Sequence, residues 1–239
     1  MMTDTTDFLG FRFEQGSRED LFSRLVAMSA APFGYVVTPN VDLVNRAARD
    51  PAIRALYDGA AVHLCDSKIL TVMAKAKKIA LDCYPGSDLV ADLLGRGGAG
   101  QRIAVVGPDA QDWQALVARY PQVPLTLIPS PPIMAPGSPE WQRCVAEAAD
   151  APWDILLICL GSPKQERFAQ AVGALRTGPG VAWCVGASID FLTGRQTRAP
   201  QWIRTLHMEW LHRLASNPKR LWRRYLVEGP QILRLLARS

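Results

Sequence analysis

Asp66 stands at the end of an apolar run, in AAVHLCDSKIL, and is the side chain of this sequence best placed to accept a proton. A carboxylate at the mouth of a buried strand is lifted toward the pKa of a general base by partial burial. The same residue could instead cap the helix that follows it, a role that needs no chemistry. Asp190, in GASIDFLTG, has the same two readings. A second stretch, ICLGSPKQERFAQ, closes an apolar run at Gly161 and turns at Pro163. It then sets Lys164, Gln165 and Glu166 in the first turn of a helix, where backbone N–H groups suit an anion. The plainer alternative is a capped helix start with solvated side chains.

What is missing narrows the chemistry further. VVGPDAQ (105–111) falls short of the Gly-x-Gly-x-x-Gly dinucleotide loop, and no P-loop occurs. No Asp-x-Asp pair offers a carboxylate grip on a metal–diphosphate, so a bound diphosphate would rely on arginines and helix N-termini. The five cysteines form no Cys-x-x-Cys and read as reduced core thiols. The three histidines are scattered, which argues against a histidine-rich metal site.

The elements that must hold these residues alternate between strand-like and helix-like runs, the pattern of a mainly parallel sheet flanked by helices. Strands are expected over 34–40, 60–66, 102–109, 123–128, 154–161 and 181–188, and helices over 42–49, 67–76, 86–95, 109–119 and 164–176. Ligands of open parallel sheets bind at the carboxyl ends of the strands. That rule gathers Thr38, Asn40, Asp66, Gly107 to Asp109, Gly161 to Glu166 and Gly186 to Asp190 on one face. The Pro-rich PSPPIMAPGSP (129–139) is a loop long enough to wall or cover a site.

Hydrophobic residues make up 49% of the chain, enough for a sizeable core. No apolar run approaches the roughly 20 residues needed to span a bilayer, and the acidic start MMTDTTDFLGF is no secretion signal. A cytoplasmic protein is expected. Charge is unevenly spread: residues 195–239 hold ten Lys and Arg against two Asp and Glu, while the rest is slightly acidic. A basic tail on such a body points to an anionic partner. From about Pro200 the chain reads as helical, and Arg220, Arg223 and Arg224 share a face beside Trp222.

Seven motifs in order, TPNVDLV, CDSKIL, PGSDLVADLL, LICLGSPKQERF, VGASIDFLTGRQTRAPQWI, MEWLHRL and NPKRLWRRYL, resemble the WecG/TagA/CpsF family of bacterial glycosyltransferases over roughly residues 8 to 228. The resemblance implies a Rossmann-like catalytic core (1–198) and a helical appendage (199–239) for membrane association and site closure. It implies an inverting, metal-independent transferase without cofactor, moving a sugar from a UDP-sugar to a polyprenyl-diphosphate-linked acceptor in surface polysaccharide or exopolysaccharide synthesis. Such an enzyme sits peripherally on the inner face of the cell membrane. By motif, Asp66 matches the family's proposed base, and Thr38 and Asn40 line its pocket. Gln165 and Asp190 lie near the nucleotide, with Gly86, Asp88, Gly161 and Lys164 in the same binding motifs. Arg220, Arg223 and Arg224 belong to a tail thought to reach the diphosphate. The polar residues of GSPKQE would then face a nucleotide-sugar cleft. Two positions depart from the pattern. Cys83 stands where the family usually has an arginine, leaving a tail arginine or Lys77 and Lys78 to substitute, and Ser67 replaces the glycine after the aspartate. The rival expectation is a non-catalytic protein whose basic tail binds anionic lipid or nucleic acid. No nucleic-acid motif supports the second partner, and a homo-oligomer is open.

Overall fold

The computed structural model describes residues 4–195, 222 and 229–238. A hairpin of β1 (Thr5–Phe8) and β2 (Phe11–Glu14) precedes α1 (Arg18–Ala27) and β3 (Gly34–Val37). Then come α2 (Val41–Arg49), α3 (Pro51–Asp58), β4 (Val62–His63), α4 (Lys68–Ala76) and α5 (Gly86–Gly95). The second half alternates: β5 (Ile103–Val106), α6 (Ala110–Arg119), β6 (Leu125–Ile128), α7 (Pro139–Asp150), β7 (Ile155–Ile158), α8 (Lys164–Leu175), β8 (Val181–Cys184) and α9 (Ser188–Leu192). A last helix, α10, spans Gln231–Arg238.

Six strands form one parallel sheet in the order β4-β3-β8-β7-β5-β6. This is the expected Rossmann-like α/β architecture. The central strands IAVV, ILLI and VAWC are buried along their whole length, as a sheet covered on both faces requires. Successive side chains feed opposite layers. Ala104, Val106, Leu156 and Ile158 pack with Val44 of α2, Tyr57 of α3, Trp141 of α7 and Phe168 of α8. Ile103, Val105, Ile155 and Leu157 pack with Leu25 of α1, Leu89 and Leu93 of α5, Leu116 of α6 and Ile189 of α9.

The strands stop earlier than the apolar runs suggest. The 34–40 run pairs only through Val37, and the 154–161 run only through Ile158. The remaining residues of each run leave the sheet as the turns that carry the polar side chains. The hairpin, α1, α3, α7 and α9 add elements that the periodicity did not reveal. The Pro-rich stretch is a loop up to α7, with Met134 buried in the core beside Ile133 at 89% exposure. Of the basic tail, Arg220, Arg223 and Arg224 lie outside the described residues. Residues 229–238 are described, and Ile232 of α10 is buried in the core layer that holds α2.

Candidate active site at the carboxyl ends of the strands

The site is best built from the β3 and β4 side. After Val37 the chain turns through Thr38 and Pro39, and Asn40 caps α2 by accepting the N–H groups of Asp42 and Leu43 at 3.1 and 3.3 Å. Thr38 is buried and its hydroxyl donates to the Cys184 carbonyl at 3.4 Å, which ties the end of β3 to that of β8. Asp66 continues β4, its N–H bonded to the Pro39 carbonyl at 3.0 Å, and is half-buried. The cap of α4 is Ser67, which accepts the Leu70 N–H at 3.3 Å. The serine that departs from the family pattern therefore takes the capping role, and the N-cap reading of Asp66 falls away. Gly86, the first residue of α5, closes this side. A β-carbon there would stand 3.3 Å from the Thr38 Oγ1 and 3.6 Å from the Val185 Cα, so α5 enters the site against bare backbone.

The β7 and β8 side is built differently. Gly161 adopts a left-handed φ of 73° and a cis Ser162–Pro163 bond follows, which turns the chain sharply into α8. Lys164 begins that helix and is half-buried. Gln165 is 4% exposed, its Oε1 accepting the Gly186 N–H at 2.8 Å and its Nε2 donating to the Glu166 Oε1 at 3.0 Å. Glu166 is 1% exposed. The Tyr57 hydroxyl donates to the same Oε1 at 3.4 Å and lies 3.1 Å from the Ser162 hydroxyl. The second oxygen, Oε2, has no hydrogen-bond partner among the described residues. Burial pushes the Glu166 carboxyl pKa up, and burial first, then the neighbouring Glu166, pushes the Tyr57 phenol up. The expectation that the polar residues of GSPKQE face a cleft is therefore corrected for Glu166. With α8 starting at Lys164, positions 165, 166, 168, 169 and 172 form its buried face, and the glutamate is turned into the protein.

The remaining candidates sit around this row of strand ends. Asp88 lies in the first turn of α5, 3.8 Å from Arg18 on α1. Asp190, in α9, is half-buried and close enough to raise the Cys159 thiol pKa, after burial, the larger cause. Asp109 caps α6 and pairs with Arg195 at 2.8 Å, and Arg195 also bonds Asp112. Gly107 has φ 115°, and a β-carbon there would fall 2.6 Å from the Cys159 carbonyl oxygen, so the turns after β5 and β7 touch through bare backbone. Among the described residues no group of three or more His, Cys, Asp or Glu gathers as a metal cluster. No described helix is long and apolar enough to cross a membrane.

Two residues of the site escaped the sequence reading: Tyr57 and Cys65. Tyr57 has no motif around it and reaches Glu166 only because α3 lies over α8. Cys65 reads as a core thiol, and its partner Cys83 stands 18 positions away.

Residues 6–239 match the family model described as Glycosyl transferase WecG/TagA/CpsF family. Among known proteins, the N-acetylglucosaminyldiphosphoundecaprenol N-acetyl-beta-D-mannosaminyltransferase of Bacillus spizizenii is 41% identical over 87 residues. That match covers 36% of this chain and 33% of the Bacillus protein.

Proposed function

Because the chain belongs to the glycosyl transferase WecG/TagA/CpsF family, we propose that it moves a sugar from a UDP-sugar to a polyprenyl-diphosphate-linked acceptor, with inversion and without a metal ion. The acceptor class is supported by the name of the Bacillus relative, which specifies a diphosphoundecaprenol-linked N-acetylglucosamine. The observation that carries the reading is Asp66: a half-buried carboxylate at a strand end, with the cap of the next helix supplied by Ser67.

In this reading Asp66 takes the proton of the acceptor hydroxyl as that oxygen bonds to the anomeric carbon. The bond from that carbon to the UDP oxygen breaks on the opposite face, so a single displacement inverts the centre. One carboxylate suffices, because no covalent sugar–enzyme intermediate forms. The leaving diphosphate gains charge as the bond breaks. The N-terminus of α5 at Gly86 and that of α8 at Lys164 present N–H groups at the same face, and the Lys164 ammonium adds a full charge. Asn40 spends its side-chain oxygen on α2, which leaves its amide N–H groups to orient a sugar hydroxyl. Gln165 supports the nucleotide side through Gly186, whose turn it holds. Arg220, Arg223 and Arg224 are proposed to reach the diphosphate, and the basic tail to hold the enzyme at the inner membrane face.

A panel of UDP-sugars with a synthetic polyprenyl-diphosphate-linked N-acetylglucosamine tests this. Transfer from one donor is expected in the presence of a chelator, with thermal stabilisation by UDP. A folded protein that neither transfers any sugar nor is stabilised by UDP would overturn the reading.

A further inference from the structure

Cys65 immediately precedes Asp66, and its carbonyl accepts the Tyr84 N–H at 2.9 Å. Tyr84 is thus held against the residue that follows β4, with Cys83 next to it. Adjacent extended chains hold facing α-carbons about 5 Å apart, inside the window of about 4.4–6.8 Å that a disulfide spans. The side chains are neighbours too, each thiol shifting the other's pKa, and the Cys65 S–H donates to the Ser67 carbonyl at 3.5 Å. Both are reduced in this structure. Cys65 is 1% exposed, while Cys83 is half-buried and open to a small oxidant.

The pair is unequal. The neighbouring Cys65 holds the Cys83 thiol below its ordinary range, with Lys68 helping and burial and Asp66 opposing. The same neighbour, then burial, pushes Cys65 up. Cys83, the thiol open to solvent, is the one that attacks, and the buried Cys65 the one that resolves.

We propose that Cys65 and Cys83 form a reversible disulfide, a thiol-oxidation site that ties the strand end carrying Asp66 to the entry of α5. The oxidant is a low-molecular-weight disulfide. The Cys83 thiolate bonds to one of its sulfurs and expels a small thiolate. Cys65 then gives its proton to solvent as its sulfur bonds to that of Cys83, expelling the second small thiol. Two protein thiols lose two electrons between them, and one small disulfide becomes two small thiols.

The new bond is about 2.0 Å long, well inside any non-bonded contact between two sulfurs, so closing it draws Cys65 and Cys83 together. Asp66 is the next residue and must move with it. A misplacement of about 1 Å at a reacting group costs on the order of 10²-fold. Only this loss of turnover rests on the transferase reading; the cross-link does not.

The test incubates native full-length protein with oxidised glutathione, then alkylates and digests it with trypsin. Cleavage after Lys68 and Lys78 puts the two cysteines on separate peptides. A Cys65–Cys83 linked pair is expected, separated by dithiothreitol, with turnover falling at least about tenfold and recovering on reduction. Cys83→Ser should give neither the cross-link nor the inhibition. Native protein that stops at a glutathione adduct on Cys83 overturns the proposal. A cross-link with turnover unchanged refutes the coupling to Asp66 and leaves the transferase reading intact. A protein without transferase activity still yields the linked peptides, so the two readings fail separately.

Discussion

The two halves of the strand-end row contrast sharply in how they use polar side chains. On the β3 and β4 side, Asn40 and Asp66 are half-buried, Asn40 capping α2 and Ser67 rather than Asp66 capping α4. On the β7 and β8 side, Gln165 and Glu166 are buried and bonded to Gly186, Tyr57 and one another. The first half has the exposure that reactants need. The second has the rigidity that keeps a turn in place. A polar motif at a strand end can therefore be scaffold, and burial separates it from chemistry where spacing cannot.

The largest effect is expected where the first half is broken. Asp66→Asn keeps the shape of the side chain and removes the base, so turnover should fall by about 10²–10⁴-fold, with UDP affinity little changed. Steady-state rates beside UDP-induced melting shifts decide it, and near-normal turnover in a folded variant would move the chemistry elsewhere. Breaking the second half should act on stability first. Gln165→Leu strands the Gly186 N–H and removes one of the two donors to the Glu166 Oε1, at a cost of about 1–3 kcal/mol that denaturant unfolding would measure. If turnover falls as far as in Asp66→Asn while the fold holds, the scaffold assignment of Gln165 is wrong.

A subtler probe is pH. The folded-state pKa of Glu166 is raised above 4.5 by burial. Its contribution to stability is therefore complete below that value and is lost as pH rises through the folded pKa. Glu166→Gln cannot titrate, so its melting temperature should gain on that of the parent as pH climbs from about 4.5 toward 8. Parallel melting curves for the two proteins would show that Glu166 is not protonated on folding. Smallest of all is Gly86→Ala. The new methyl crowds Thr38 at 3.3 Å, while alanine favours the helix by up to about 1 kcal/mol. Stability should shift by less than that, and the change should fall on donor KM. An unaltered KM would place the donor away from the start of α5.

Much of this was legible in the sequence, because the central strands are unbroken apolar runs and their ends carry the polar residues. Asp66, Thr38 and the GSPKQE turn were all found by that rule. The direction of Glu166 was not, since one residue's rotation on a helix depends on where the helix starts. Tyr57 and the Cys65–Cys83 contact were also hidden, being tertiary pairings between segments with no shared periodicity. The hairpin escaped because its alternation is short, and its turn uses Leu9 at φ 51° where glycine or asparagine is usual.

That hairpin has a consequence for how the protein behaves in a crowd. β4 is an outer strand of the parallel sheet, and an open outer strand invites the strands of other molecules to pair with it. Here Phe11 of β2 packs edge-on to His63 with ring centres 5.7 Å apart, and Arg54 lies over the Phe11 ring. The Tyr84 N–H already occupies the Cys65 carbonyl just beyond β4. The strand is two residues long, shielded by aromatic rings on one flank and engaged by its own chain on the other. The edge nearest the proposed catalytic carboxylate thus has little backbone left to offer a stranger, and its guard against aggregation is built from β2 with Arg54 and Tyr84.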